Sequence, residues 1–210
     1  MTNKKEDKKD HIMDTAEWVF AEYGFEGAST RLLASEAGVN MAMLNYYFGS
    51  KDGLLRAVLE RRISNMRLTL EEVYQQSVSE WAKLEQMVDI YMNRVLSNSY
   101  FHKLLQRELS MAQRAEIADF ISDNILKNVQ VIAKVIEEGI ANGNFNQVDP
   151  EMTIATILGT KYYIINSAHV SSKLLAADLQ DQQQLEDVIK PRVKKHIISL
   201  LKAYLIKHDA

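Results

Sequence analysis

Apolar residues recur along almost the whole chain at the i, i+3, i+4 spacing of a helix with one buried face, and β-branched residues nowhere alternate as they do along a strand. Pro occurs only at 150 and 191, and Gly is scarce after residue 53, so little interrupts that pattern. It predicts an all-α fold of about nine helices. The first helix covers residues 8–23, and three short elements follow it. A long helix then starts at Ser50 and carries Leu54, Leu55, Val58, Leu59, Ile63 and Met66. Residues 81–96 form an amphipathic helix with Leu84, Met87, Val88, Tyr91, Met92 and Val95 on one side, and residues 100–111 form another. Residues 117–141 make a long helix stopped by Asn142-Gly143. Asp149 caps the next, with Pro150 at its first helical position, and that helix runs to about residue 175. Residues 178–184 are polar and read as a loop; 185–206 are the last helix.

Residues 30–53 hold the most specific local pattern. Thr30 can cap a short helix with Leu32, Leu33, Ala34 and Ala37 as its apolar face. Gly38 sits where the chain must turn and is predicted at positive φ. Val39 plugs the angle, Asn40 caps a second short helix over Met41–Phe48, and Gly49-Ser50 ends it, with Ser50 capping the helix that carries Lys51. Two helices joined at a wide angle by such a turn make a helix-turn-helix, the unit that lays its second helix in a DNA major groove. On that helix Val39, Leu44 and Phe48 fall inward, while Met41, Ala42, Asn45 and Tyr46 fall outward. The outward face carries no charge. Either it is buried against another domain or it reads bases, since Asn pairs with adenine edges and apolar groups touch the thymine methyl.

Charge at first argues against such a partner. The 210 residues carry a net charge of −3, and the first 62 hold nine Lys/Arg against ten Asp/Glu. DNA binding must then rest on a local arrangement of cations, not on a bulk basic field. With 47% hydrophobic residues the chain can bury a substantial core. It has no cysteine, which excludes disulfides, thiolate metal sites and cysteine nucleophiles. His102 and His169 are isolated, so no metal is predicted, and no cofactor-binding pattern is present. Glu71-Glu72 and Glu137-Glu138 point apart on their helices and make no acid/base pair; no enzyme motif is found. No secretory signal is visible, and the apolar run 152–170 is interrupted by Lys161, Asn166 and His169. The expected place is the cytoplasm, without a membrane partner.

From His11 to Val58 the chain resembles the DNA-binding domain of TetR-type (tetracycline-repressor-like) transcriptional regulators. The resemblance rests on Ile12, Ala16, Phe20, Gly24, Phe25, Thr30-Arg31, Ala34, Ala37-Gly38-Val39, Leu44, Tyr47-Phe48, Ser50-Lys51 and Leu54-Leu55, in order. The rest resembles the family in length, in helical character and in Gly143-x-Phe145 followed by Asp149-Pro150. The family often has Tyr where Asn45 stands, and Lys or Pro near Met41, so the resemblance carries over the docking mode but not the target sequence.

The resemblance implies a tail and helix-turn-helix domain over residues 1–53, and a linker helix plus ligand-binding and dimerisation domain over 54–210. It implies phosphate contacts by Thr30, Tyr47 and Lys51, and base reading by Arg31 beside Met41, Ala42, Asn45 and Tyr46. Helix N-termini favour anions and Lys adds a full charge, which agrees; solvated surface charge is the alternative for Arg31 and Lys51. Lys4, Lys5, Lys8 and Lys9 alternate with acids and read as a disordered solvated tail, or as a minor-groove arm. An effector pocket is implied among Met87, Tyr91, Phe101, His102, Met111, Phe120, Tyr162 and Asn166, each of which can also be plain core. A dimer interface is implied at Ile157, Lys161, Ile165, Val193, Ile197, Leu201 and Tyr204, with packing inside one chain as the alternative. The expected function is a homodimeric repressor on a palindromic double-stranded operator. A small molecule would release it by shifting the helix over 50–66. The rival is a regulator without effector, its C-terminal domain serving protein–protein interaction.

Overall fold

The computed structural model describes residues 4–97, 99–111 and 114–207, with the side chains of all of these except 4, 5, 95–97 and 99. The expectations for the Lys4, Lys5 and Val95 side chains therefore lie outside the described residues. Ten helices are described, and no strand: α1 Lys4–Gly27, α2 Thr30–Glu36, α3 Met41–Phe48, α4 Lys51–Tyr74, α5 Glu80–Ser97, α6 Ser99–Ser110, α7 Ala115–Ala141, α8 Pro150–Asn166, α9 Ala168–Leu175 and α10 over 182–205. Among the described residues no helix is long and apolar enough to cross a membrane. The chain folds as two compact units, one of residues 1–66 with 98–126, the other of 67–97 with 127–210.

The first unit is built on one apolar core. Ile12, Ala16, Val19 and Phe20 of α1, Leu33 and Ala34 of α2, Leu44 of α3, and Leu54, Leu55, Val58, Leu59 and Ile63 of α4 are all buried in it. Leu104 of α6 and Ile117 and Ile121 of α7 join the same cluster. α1 begins at Lys4, earlier than its apolar periodicity, so the residues expected as a disordered tail are helical from there. Its helical backbone breaks at Gly24 (φ 71°, ψ 171°). α1 and α4 are also tied by charge: Arg61 pairs with Asp10 and Asp14, and Arg62 with Glu17 at 2.9 Å.

In the second unit Leu84, Met87, Val88 and Met92 of α5 are buried, as are Val135 and Ile136 of α7, Ile154, Ile157 and Ile164 of α8, and Ile189, Val193, Ile197, Leu201 and Leu205 of α10. Two expected boundaries shift. The helix expected over 150–175 is broken at Ser167 (φ −105°, ψ 37°), next to Asn166; both residues favour local hydrogen bonds over helix. The loop expected at 178–184 ends early, because Asp181 caps α10 by accepting from the Gln183 and Gln184 amides at 2.8 and 3.3 Å. α10 then widens into a π turn at Leu185–Ile189 before continuing as Lys190–Leu205. Pro191 lacks an N–H and crowds the carbonyl four residues back, and the widened turn gives its ring room.

Two glycines in the first unit are required for different reasons. Gly38 takes φ 61°, as the sequence predicts, and a Cβ there would meet nothing within 4 Å. A Cβ at Gly53 would lie 2.0 Å from the Phe48 carbonyl oxygen, so only glycine lets the first turn of α4 approach the end of α3. Gly38→Ala should cost roughly 1–2 kcal/mol, the price of the left-handed backbone alone. Gly53→Ala should cost more, at or beyond the ~1–3 kcal/mol of an overpacked site, since backbone must move. Urea unfolding of the two variants checks the order; an equal or smaller loss for Gly53→Ala would contradict it.

Candidate nucleic-acid interface

The helix-turn-helix is assembled by short-range hydrogen bonds. Ser29 caps α2, its Oγ accepting from the Leu32 amide at 3.1 Å. Thr30, the expected cap, is instead the first helical residue; both residue types can cap, and the backbone turns one residue earlier. At the other end Val39 N–H donates to the Ala34 carbonyl (2.9 Å) and Gly38 N–H to the Ser35 carbonyl (3.1 Å). This is a Schellman ending, with Val39 folding back onto the core. Asn40 caps α3, accepting from the Met43 amide at 2.8 Å. Ser50 caps α4, accepting from the Gly53 amide at 3.0 Å.

α3 is seated by Leu44, which is buried, and by Phe48, which packs against the same core. Met41, Ala42, Asn45 and Tyr46 are exposed, Tyr46 at 71%, and so is Arg31 on α2. Thr30 and Tyr47 are half-buried; the Tyr47 ring meets Tyr46 edge-on at 5.2 Å between centroids. Lys51 is half-buried as well. Its Nζ donates to the Phe25 carbonyl at 2.8 Å and stands 4.0 Å from the centre of the Phe25 ring. An ammonium has three donors, so this bond leaves two for an anion.

Charge pairing explains how a near-neutral head can face DNA. Arg56 pairs with Glu116, Arg61 with Asp10 and Asp14, and Arg62 with Glu17. Lys9 stands 5.9 Å from the Phe48 ring centre. Arg31 makes no ion pair among the described residues. Acids of the head thus neutralise arginines that brace α1, α4 and α7, while Arg31 of α2 is left without an ion pair among the described residues. Sequence reasoning named Phe25 only among the residues of the resemblance and gave Gly53 no part in this site. Their only signals are the Gly24-Phe25 break and the Lys51-Asp52-Gly53 start of α4.

The eight expected pocket residues divide between the units. Phe101 and Phe120 pack against the core of the first, where His102 and Met111 are half-buried. In the second, Met87 is buried, Tyr91 and Asn166 are half-buried, and Tyr162 is 57% exposed. Asn166 Nδ2 is buried without a hydrogen-bond partner among the described residues. Lys161, expected at the dimer interface, takes a place in the buried stripe of Ile154, Ile157 and Ile164. It pairs with no carboxylate among the described residues, and its Nζ lies 5.5 Å from the Tyr91 ring centre. Burial lowers its pKa from 10.5 to about 8 and raises that of the Tyr91 phenol.

The remaining interface expectations meet the chain's own core. Ile157, Val193, Ile197 and Leu201 are at most 5% exposed within one chain, so they offer no surface to a second copy. Ile165 is half-buried and Tyr204 is 51% exposed. Periodicity marks a face as covered without saying by what.

Comparison with known proteins agrees with the geometry. Residues 12–58 match the domain described as bacterial regulatory proteins, tetR family, and residues 81–194 match the tetracyclin repressor-like C-terminal domain. The probable HTH-type transcriptional regulator YttP of Bacillus subtilis is 29% identical over 134 residues, 62% of this chain and 64% of that protein. The HTH-type transcriptional repressor NicS of Pseudomonas putida is 27% identical over 190 residues, 85% of each. The structure of the fatty acid degradation regulator FadR from Bacillus halodurans superposes with a TM-score of 0.73 at 20% identity, covering 93% of this chain and 96% of that one. FadR from Bacillus subtilis, solved in complex with stearoyl-CoA, gives 0.72 at 19% identity, covering 90% and 97%. The fold and the helix-turn-helix define a DNA-binding transcriptional regulator. The chain belongs to the TetR family.

Two predictions follow from these placements. Arg31→Ala should cost about 1–3 kcal/mol on the cognate operator and relax specificity at one base position. Fluorescence anisotropy over single-base operator variants reads this, and an equal loss on random DNA would remove Arg31 from base reading. For Lys161, the unfolded chain keeps a proton between pH 8 and 10.5 that the fold has released, so stability rises with pH across that window. Lys161→Met should therefore be more stable than the parent at pH 7, by about 1–3 kcal/mol, and lose that advantage as pH climbs from about 8 to 10.5. Unfolding curves at pH 7 and above 10.5 show whether the gap closes.

Proposed function

We propose that this regulator is a repressor that binds a palindromic operator as a homodimer and is released by a small molecule held in its second unit. The observation that carries the DNA-binding mode is the exposed, uncharged face of α3, together with the exposed Arg31 of α2, which has no ion pair among the described residues. Met41, Ala42, Asn45, Tyr46 and Arg31 read base edges, while Thr30, Tyr47 and Lys51 hold phosphates. In functional terms residues 1–53 bind DNA and 54–210 serve the ligand and the second copy. The protein acts in the cytoplasm and has no catalytic role. The effector binds near Tyr91, Lys161 and Asn166, where the unmatched ammonium and the idle amide donor suit an apolar body bearing an acidic group. Binding there shifts α4, which runs from the head into the second unit, and changes the reach of the recognition helices. DNase footprinting of the DNA flanking the coding region tests the core of this reading. Two protected half-sites about one helical turn apart are expected; no protection near a palindrome would count against it.

One short helix-turn-helix makes few contacts, and pairing two heads on one operator raises the effective concentration of the second. The partner surface we assign is the outer face of α8 and α10. Met152, Ala155, Thr156, Gly159, Tyr162 and Tyr163 are exposed on one side of α8 without a charge among them, and Leu200 and Tyr204 are exposed on α10. Tyr162→Glu combined with Tyr204→Glu should give a folded monomer that loses about 10²–10⁴-fold in operator affinity. Ile197→Glu should instead unfold the second unit, because Ile197 is 0% exposed in the single chain. Sedimentation and circular dichroism separate the outcomes; a wild-type monomer at micromolar concentration would end the proposal.

A further inference from the structure

Two cations stand over one aromatic ring at the edge of the head. Phe25 follows the break in α1, with Lys51 Nζ 4.0 Å and Arg114 Cζ 3.4 Å from its ring centre. Arg114 lies between α6 and α7, outside the helix-turn-helix motif, yet its side chain is only 13% exposed. Its Nη2 donates to Asp52 Oδ1 at 3.0 Å, and its Nη1 lies 3.4 Å from Glu108 Oε2. Glu108 is 0% exposed, and neither of its carboxylate oxygens has a hydrogen bond among the described residues. Burial pushes its pKa up, against the pull of Arg114 and Arg107. One guanidinium thus holds the ring on which Lys51 rests, the carboxylate next to Lys51, and a buried acid of α6.

We propose that Arg114 is a positioning residue for operator binding: by clamping Phe25 and neutralising Asp52 it sets the Lys51 ammonium at the N-terminus of α4 for a DNA phosphate. This rests on the reading of Lys51 as a phosphate contact. The physical case is direct. Without Arg114, Phe25 keeps its core contacts, the stacked Phe20 ring at 6.0 Å among them, but loses one of the two cations over its ring, so the ring and carbonyl that Lys51 meets are held less firmly. Asp52, freed of its partner, becomes a competitor for the Lys51 ammonium. Arg114 thereby sets the strength of the DNA grip from outside the helix-turn-helix motif. The same residue, being the sole ion-pair partner of Glu108 among the described residues, links that grip to α6.

Removing Arg114 alone strands a buried carboxylate, so the test uses Glu108→Gln as its background, in which the buried charge is gone. Operator affinity is measured by anisotropy for Glu108→Gln alone, with Arg114→Gln, with Lys51→Ala, and with both. Thermal melts check that each variant is folded. Arg114→Gln is expected to weaken binding about tenfold when Lys51 is present and less than twofold when it is Ala, and to flatten the salt dependence as Lys51→Ala does. An equal loss in both backgrounds means a merely structural role and overturns the proposal while leaving Lys51 as a contact. No loss from Lys51→Ala itself overturns the phosphate reading and the proposal together.

Discussion

Helices of seven and eight residues are too short to persist in water, because nucleation costs more than so few hydrogen bonds return. α2 and α3 therefore exist only as far as tertiary packing holds them. Leu33, Ala34 and Leu44 supply their grip, and the core they enter is completed by α1, α4, Leu104 of α6, and Ile117 and Ile121 of α7. The DNA-binding motif is consequently not a module that could be cut out at its last residue. Its stability is shared with helices 40 and more positions further along the chain. Gly53 adds a steric term to the same constraint, since the α3–α4 junction closes only because no side chain stands in the way.

Charge in the head is spent on bracing. Arg61 and Arg62 reach from α4 to Asp10, Asp14 and Glu17 of α1, and each such pair removes a cation from the field that DNA would feel. What remains among the described residues is small in number and includes exposed Arg31 on α2, Lys9 at 5.9 Å from the Phe48 ring, and Lys51 held over Phe25. A protein built this way gains little from non-specific attraction, which scales with the number of phosphates neutralised. On the proposed reading its discrimination rests on an uncharged surface of Met, Ala, Asn and Tyr, where a wrong base would leave a polar edge unpaired.

Much of this was legible in the residues. The bounds of α3, the Asn40, Ser50 and Asp149 caps and the positive φ of Gly38 each follow from one side chain's local chemistry. What was not legible depends on distant atoms. No glycine or proline marks the break at Ser167, and the π turn before Pro191 is a compromise between a helix that continues and an imide that cannot donate. The stripe Val193, Ile197 and Leu201 announced burial, but whether a neighbouring helix or a second copy covers it is not encoded in spacing; the chain's own helices do. Arg114 carries no local sign of its partners because Phe25 and Asp52 lie so far upstream.

Lys161 shows how a local cost can become a coupling. Burial in an apolar stripe, with the Tyr91 ring at 5.5 Å and no carboxylate paired to it among the described residues, lowers its pKa from 10.5 to about 8. The empty fold therefore forgoes up to about 3 kcal/mol that a matched ammonium would not lose. An anion brought to Lys161 recovers part of that sum, and the recovered part belongs to the bound state alone. Typical couplings between effector and DNA sites are about 1–3 kcal/mol, so one lysine supplies energy of the right size. It acts as a switch only if the bound anion favours an arrangement of α4 that differs from the one gripping DNA, because a ligand with equal affinity for both arrangements shifts nothing. On the proposed reading Lys161 would provide the driving force, and two arrangements of α4 would provide the difference.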